Sequence, residues 1–256
     1  MSSELTIPQD MMAKLAAAAK DAAAKERPAV GIISTNAGQL TFNGNSVPGS
    51  KLEAIVVASS YRNVWYAGRF DRNNIVPPNC FALSLEDKDM APHDNVQQKP
   101  NETCDGCPYN EWKSDPNGGK GKACKQSRRL IVIPADAIDK GAEAVRDAEM
   151  ARFDVPVTSV RNYSTFVNAL AASASVPPYA AVVEISAQPD TKTQVKVNFR
   201  PMRVLPSADI LDAVMKRMES AERLALEPYD ETAVIDDEPA GAAAPAAKGA
   251  PRRAKF

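Results

Sequence analysis

Histidine occurs once, at His93, and aromatic residues make up only 6% of the chain. A Ser-His-Asp triad therefore has a single candidate base, and the position of each aromatic ring carries weight. No apolar run approaches the ~20 residues that a membrane-spanning helix requires, so no membrane partner is expected. The opening segment MSSELTIPQD carries Glu4 and Asp10 and lacks a basic stretch followed by an apolar one. It does not read as a secretory signal, and the expected compartment is the cytoplasm. Net charge is lacking too: 31 Lys and Arg face 32 Asp and Glu, giving −1. Without a global positive field, any contact with nucleic acid must come from local patches. There is no internal repeat and no G-x-x-x-x-G-K-[ST] phosphate loop.

What is present is an ordinary globular composition, 44% hydrophobic and 25% charged over 256 residues, enough apolar surface for a core. Residues 1–29 read as a helical appendage. Pro8, Gln9 and Asp10 introduce MMAKLAAAAKDAAAKE, a run of high helix propensity whose alanines would bury little area. From residue 30 the texture changes. AVGIIST, QLTFNG, KLEAIVVASS and NVWYAGRF read as strands, punctuated by Asn36-Ala37-Gly38, Asn43-Gly44-Asn45, Pro48-Gly49 and Arg62-Asn63. Connections this short predict antiparallel pairing. Strand texture returns in RRLIVIPAD over 128–136. A helix over 137–152, a strand VPVTSV and an amphipathic helix NYSTFVNALAAS follow, the last with Tyr163, Phe166, Val167 and Leu170 on one face. YAAVVEISAQ and TQVKVNFRPMRVL are the final strands, with Val195, Val197 and Phe199 alternating against Lys196, Asn198 and Arg200. Ser207 would cap a helix through ILDAVMKRMESAERLAL, whose apolar face is Ile210, Leu211, Val214, Met215 and Met218. The expected class is mainly β with accessory helices (α+β). Residues 30–228 form the core, and 229–256 read as a disordered tail, acidic first and then basic at Lys248, Arg252, Arg253 and Lys255.

Residues 73–127 break this pattern. They are rich in Pro, Asn, Asp, Gly and Lys, and a loop of this length needs something other than apolar packing to order it. All four cysteines fall inside it. Cys104-Asp-Gly-Cys107 is a C-x2-C knuckle; 23 residues separate Cys80 from Cys104, and 16 separate Cys107 from Cys124. A reducing compartment disfavours disulfides, so a metal is the economical organiser. Four thiolates suit tetrahedral zinc; an iron–sulfur cluster takes the same ligands. His93, in Pro92-His93-Asp94, is the alternative to Cys80 as fourth ligand, and four unrelated thiols are the bland alternative to a metal. Four cysteines would close the coordination sphere, so no catalytic metal is implied. A nucleobase deaminase would need a His-x-Glu element, and His93-Asp94-Asn95 lacks the glutamate.

Basic and aromatic residues crowd the same region. Lys113, Lys120, Lys122, Lys125, Arg128 and Arg129 stand against Asp115 alone over 112–129, together with Trp112. Upstream, Tyr61-Arg62, Trp65-Tyr66, Arg69-Phe70 and Arg72 place rings beside guanidinium groups on strand-like sequence. Arg200 lies on the polar face of the last strand. Rings that stack bases and a basic groove that tracks phosphates are the elements of single-strand recognition. The blander reading has some of these rings in the core and the arginines solvated.

Together the residues PPNC…CDGCPYNEW…GKGKACKQSRRLIVI, set between short strands and followed by a charged tail, resemble phage-type single-stranded DNA-binding proteins with a zinc-binding insertion. The resemblance is carried by Val76 to Ile133. It implies an oligonucleotide-binding (OB)-like antiparallel barrel and zinc held by Cys80, Cys104, Cys107 and Cys124. It also implies sequence-independent binding of single-stranded DNA in replication, recombination or repair, in the host cytoplasm if phage-encoded. Replication or recombination proteins are candidate partners of the tail. No catalytic residue is expected. The competing functions are a zinc-ordered interaction protein and a nucleic-acid-processing accessory enzyme. The conspicuous carboxylates for the latter are Asp71, Glu86, Asp87 and Asp89.

Overall fold

A computed structural model describes residues 30–36, 38–68, 76–116 and 118–228, together with residues 11, 12, 14, 15 and 18, which are helical and exposed. The remainder of the expected N-terminal helix and the whole expected tail, 229–256, lie outside the described residues.

β-branched residues recur through the longer segments that become strands. The strands are β1 Gly31–Asn36, β2 Gln39–Phe42, β3 Asn45–Ser46, β4 Lys51–Trp65, β5 Cys80–Ser84, β6 Lys125–Pro134, β7 Ala151–Val155, β8 Ala181–Asp190 and β9 Gln194–Val204. They form one sheet in the order β3-β2-β1-β7-β6-β4-β8-β9, with β5 added to β4. Every pairing is antiparallel except β1 with β7, where Gly31 faces Ala151. The sheet is open, with β3 and β9 at its two ends, rather than a closed barrel. It is curled: the β1–β2 turn presses on the β8–β9 hairpin, and a Cβ on Gly38 (φ +79°) would lie 2.8 Å from the Pro189 Cα.

β4 organises the sheet. Lys51–Ile55 pair with β8 along one edge, and Tyr61–Trp65 pair with β5 along the same edge. Its other edge runs along β6, with Ala54 facing Pro134 and Val64 facing Lys125. Arg62-Asn63, expected as a break, lies inside this continuous strand. The polar pair is accommodated because each residue has a partner, Ser127 and Gln126 respectively. β5 is a second departure, an unexpected strand inside the insertion.

Helices cover both faces. α1 (Asp136–Asp139) and α2 (Ala142–Asp147) stand where one helix over 137–152 was expected. Gly141, at φ +96°, separates them, and the chain re-extends already at Ala151 into β7, so the strand expected over 155–160 is displaced: Val157–Ser159 form a 3₁₀ turn that leads into the next helix. α3 spans Val160–Ala174, and α4 (Ala208–Met215) and α5 (Met218–Ala225) divide the expected C-terminal helix at Lys216-Arg217. On one face Val56, Leu130, Val132, Phe153, Val183 and Val197 pack against Tyr163, Phe166 and Leu170 of α3. The alternate residues Ile55, Val57, Ile131, Ile133 and Val182 meet Ile138, Val145, Ile210, Val214, Ala221 and Ala225. Two faces filled by alternating side chains follow from the two-residue strand period. Ser207 caps α4 by accepting a hydrogen bond from the Ile210 N–H at 3.4 Å, while Met215, expected on its apolar face, is exposed. Arg217 donates to the carbonyls of Val145, Arg146 and Ala148, tying the α4–α5 junction to the end of α2.

At Val197 the outer edge of β9 is met by side chains. The Val197 N–H donates to Ser159 Oγ at 2.9 Å, and Asn162 Nδ2 donates to the Val197 carbonyl at 2.7 Å. These bonds occupy the two Val197 backbone groups that another strand would pair with there. Among the described residues, no helix is long and apolar enough to cross a membrane.

Candidate metal centre and nucleic-acid interface

The four cysteines come together at the far end of β4. Cys80 is the first residue of β5 and faces Trp65 in register; Cys124 immediately precedes β6, whose Lys125 faces Val64. The strand pairing therefore brings Cys80 and Cys124 to the two sides of one strand end. The knuckle reaches them through the loop. Gly106, at φ +71°, makes its turn, and the Cys104 N–H donates to the Met90 carbonyl at 2.7 Å. Asn110 then ties the knuckle to itself, donating from its N–H to the Cys107 carbonyl (2.8 Å) and from Nδ2 to the Cys104 carbonyl (2.7 Å).

All four are free thiols. They line one cavity of about 20 Å³ with Asn63, Trp65, Tyr109 and Asn110, room for one water-sized or ion-sized occupant. Burial, with the neighbouring thiols, pushes the Cys80 pKa up to about 11 and that of Cys124 up to about 12. Burial raises Cys104 as well, opposed by a hydrogen bond from Asn63. Such a group resists ionisation unless a cation supplies compensating charge. As the side chains stand, among the described residues no three His, Cys, Asp or Glu groups form a finished ligand set. The donor set itself, four soft thiols around an ion-sized cavity, fits zinc. His93 lies apart: its ring stacks on Phe81 at 4.9 Å and its Nδ1 accepts from the Asn95 N–H at 3.1 Å.

The nominated binding residues divide into three sets. The first is bound into the structure. Arg129 is fully buried: its Nε lies 2.9 Å from Asp154 Oδ1, and its Nη1 donates to the Glu227 carbonyl at 2.5 Å. Arg62, with its side chain 11% exposed, donates to Ser127 Oγ at 3.1 Å and approaches Asp154 at 3.8 Å. Burial alone would raise the Asp154 pKa, but Arg129, Arg62 and Arg152 outweigh it and hold the carboxyl well below its usual range. Expecting Arg129 to reach a phosphate is corrected by its zero exposure. Lys125 pairs with Asp115 at 2.8 Å, and Arg200 pairs with Glu184 at 3.1 Å while remaining exposed.

The second set forms an aromatic and cationic surface beside the cysteines. Arg128 lies over the Tyr61 ring at 3.5 Å, in register with it across β4 and β6. Burial lowers the Arg128 pKa from its usual value, opposed by Tyr61, Tyr163 and Asp87. Trp65, half-buried, stacks on Tyr109 with ring centres 3.7 Å apart and planes 17° from parallel. Trp112 is 71% exposed, and Lys122 Nζ lies 5.3 Å from its ring centre. Lys113 and Lys120 are exposed nearby in sequence. Ser114 anchors the loop, donating to the Tyr109 and Glu111 carbonyls and accepting from the Ala123 N–H. Tyr66, like Trp65, packs against the apolar group that contains Val64, Phe81 and Val96.

The third set, Arg69, Phe70 and Arg72, lies outside the described residues, as does Asp71. Glu86, Asp87 and Asp89 are exposed in the loop after β5. Sequence reasoning passed over Tyr109 and Ser114. The signal for Tyr109 was its place two residues after the knuckle; Ser114 had none. Comparison with family models, curated proteins and solved structures finds no match to this chain.

Proposed function

We propose that the chain is a non-enzymatic, sequence-independent single-stranded DNA-binding protein of replication, recombination or repair. In this reading its curled sheet serves as an OB-like platform. The observation that carries the reading is Trp112, 71% exposed with an ammonium group 5.3 Å from its ring centre. A large ring left in water gains nothing for folding, whereas a ring beside a cation suits a base and its phosphate. Tyr61 with Arg128 and Trp65 with Tyr109 extend the same chemistry along the end of β4. Zinc, held by Cys80, Cys104, Cys107 and Cys124, would neutralise the crowded thiols and fix the loop that carries Trp112 and Lys122. It has no catalytic part in this reading.

The test is a fluorescence titration of the full chain with labelled oligo-dT across a salt series, with double-stranded DNA and RNA controls and metal analysis of the same preparation. Micromolar or tighter binding that weakens steeply with salt is expected, because neutralising phosphates releases counterions. A second reading, a zinc-ordered interaction module, draws support from the pairing of Lys125 with Asp115 and of Arg62 and Arg129 with Asp154. These pairs reduce the free positive charge. Stoichiometric zinc without oligo-dT binding at low salt would decide for it.

A further inference from the structure

We propose that Tyr109 is a base-stacking residue, held in place by the cysteine knuckle; this rests on the single-strand reading above. Four observations bear on it. The ring is half-buried rather than enclosed, as is Trp65, with which it stacks at 3.7 Å. Its backbone is pinned: its carbonyl accepts from the Cys124 N–H at 2.7 Å and from Ser114 Oγ at 3.0 Å. Pro108 opens the short 3₁₀ turn that presents it, with Asn110 bonding back to Cys104 and Cys107 on its other side. Trp65 shares the strand period of Tyr61, roughly 13 Å along β4, and Tyr61 already carries Arg128 over its ring.

The pair therefore extends a row of rings on one side of β4 toward Trp112. A ring supported on one face by a rigid neighbour loses little freedom when a base covers what remains exposed, which is how preorganisation favours binding. The cysteines supply the rigidity. Three of the four lie on the backbone segments that bond to Tyr109 or to the adjacent Asn110. Zinc would act on the strand only through this positioning.

The test compares Tyr109→Leu, Tyr109→Phe and the unaltered full chain in oligo-dT titrations at several salt concentrations, with zinc content measured on each. Tyr109→Leu should bind about 5- to 150-fold more weakly, the range for one lost stacking contact. Its salt slope should match that of the unaltered protein, because no cation is removed. Tyr109→Phe should bind within about twofold of the unaltered chain, and both variants should retain stoichiometric zinc. Unchanged affinity in Tyr109→Leu would overturn the assignment while leaving the single-strand reading intact. Loss of zinc together with affinity would overturn it as well, because the ring would then act by holding the knuckle. Failure of the unaltered protein to bind oligo-dT would defeat the parent reading, and this one with it.

Discussion

Replacing Asp154 with Asn isolates the best-defined electrostatic feature of the fold. The carboxylate is 6% exposed and sits 2.9 Å from the fully buried Arg129, with Arg62 at 3.8 Å and Arg152 at 4.0 Å. The amide keeps the shape and removes the charge, leaving the Arg129 guanidinium buried without its anion. Breaking a buried pair in this way costs about 3–5 kcal/mol. For a chain of this size that lowers Tm by roughly 6–20 °C. Removing Glu184 from its exposed pair with Arg200 should cost only about 0–1 kcal/mol.

The pH dependence has a definite sign. The folded Asp154 pKa is depressed, so its stabilisation is complete above the ordinary carboxylate range and is lost as pH falls through that range toward the folded value. Urea unfolding from pH 7 down to pH 3 should therefore show the natural chain losing part of its advantage over Asp154→Asn in the acid limb. If the two unfold within 1 kcal/mol of each other at pH 7, or their difference does not change with pH, the charge network is not what holds this region together.

Three further outcomes follow from other parts of the molecule. Chelation, or Cys107→Ser, should release stoichiometric zinc and expose the 85–124 loop to protease while leaving far-ultraviolet circular dichroism nearly unchanged, because the main sheet has its own apolar packing. Lys122→Ala should lower the slope of log affinity against log salt by about one, with affinity falling evenly across sequences, as expected for a phosphate contact. Phe166→Ala, at a ring of α3 that is 2% exposed, should destabilise by about 3–5 kcal/mol in denaturant titration without altering zinc content.

Some of this was legible in residue patterns. The face of α3 and the alternation in β9 repeat at helix and strand periods, and the structure keeps both. The grouping of the cysteines was legible because a polar segment has no other reason to gather four thiols. Other features lie beyond local pattern. Arg128 and Arg129 are adjacent and alike, yet the strand period sends one to Tyr61 and buries the other against Asp154, 25 residues away. β5 is short, and it is recognisable only beside the edge of β4 that it occupies. KLEAIVVASS and NVWYAGRF read as two strands separated at Arg62-Asn63, but pairing with β5 and β6 on both edges keeps those residues extended within one strand. The close approach of Gly38 to Pro189 joins segments far apart in the chain, which local periodicity does not encode.

β4 runs about 50 Å, with one register shift against β6 between Val56 and Ala58, from the β8 pairing at one end to Cys80 and the stacked rings at the other. The cysteine site is therefore not a separate folding unit attached by hinges. It borrows its foundation from the longest strand of the sheet, and the small apolar group of Val64, Phe81 and Val96 beneath it need not be stable alone. Force or heat that unzips β4 from β6 would dismantle both ends in one cooperative step. A cysteine-lined loop mounted in this way can remain rigid despite an apolar core that would be too small for an independent domain.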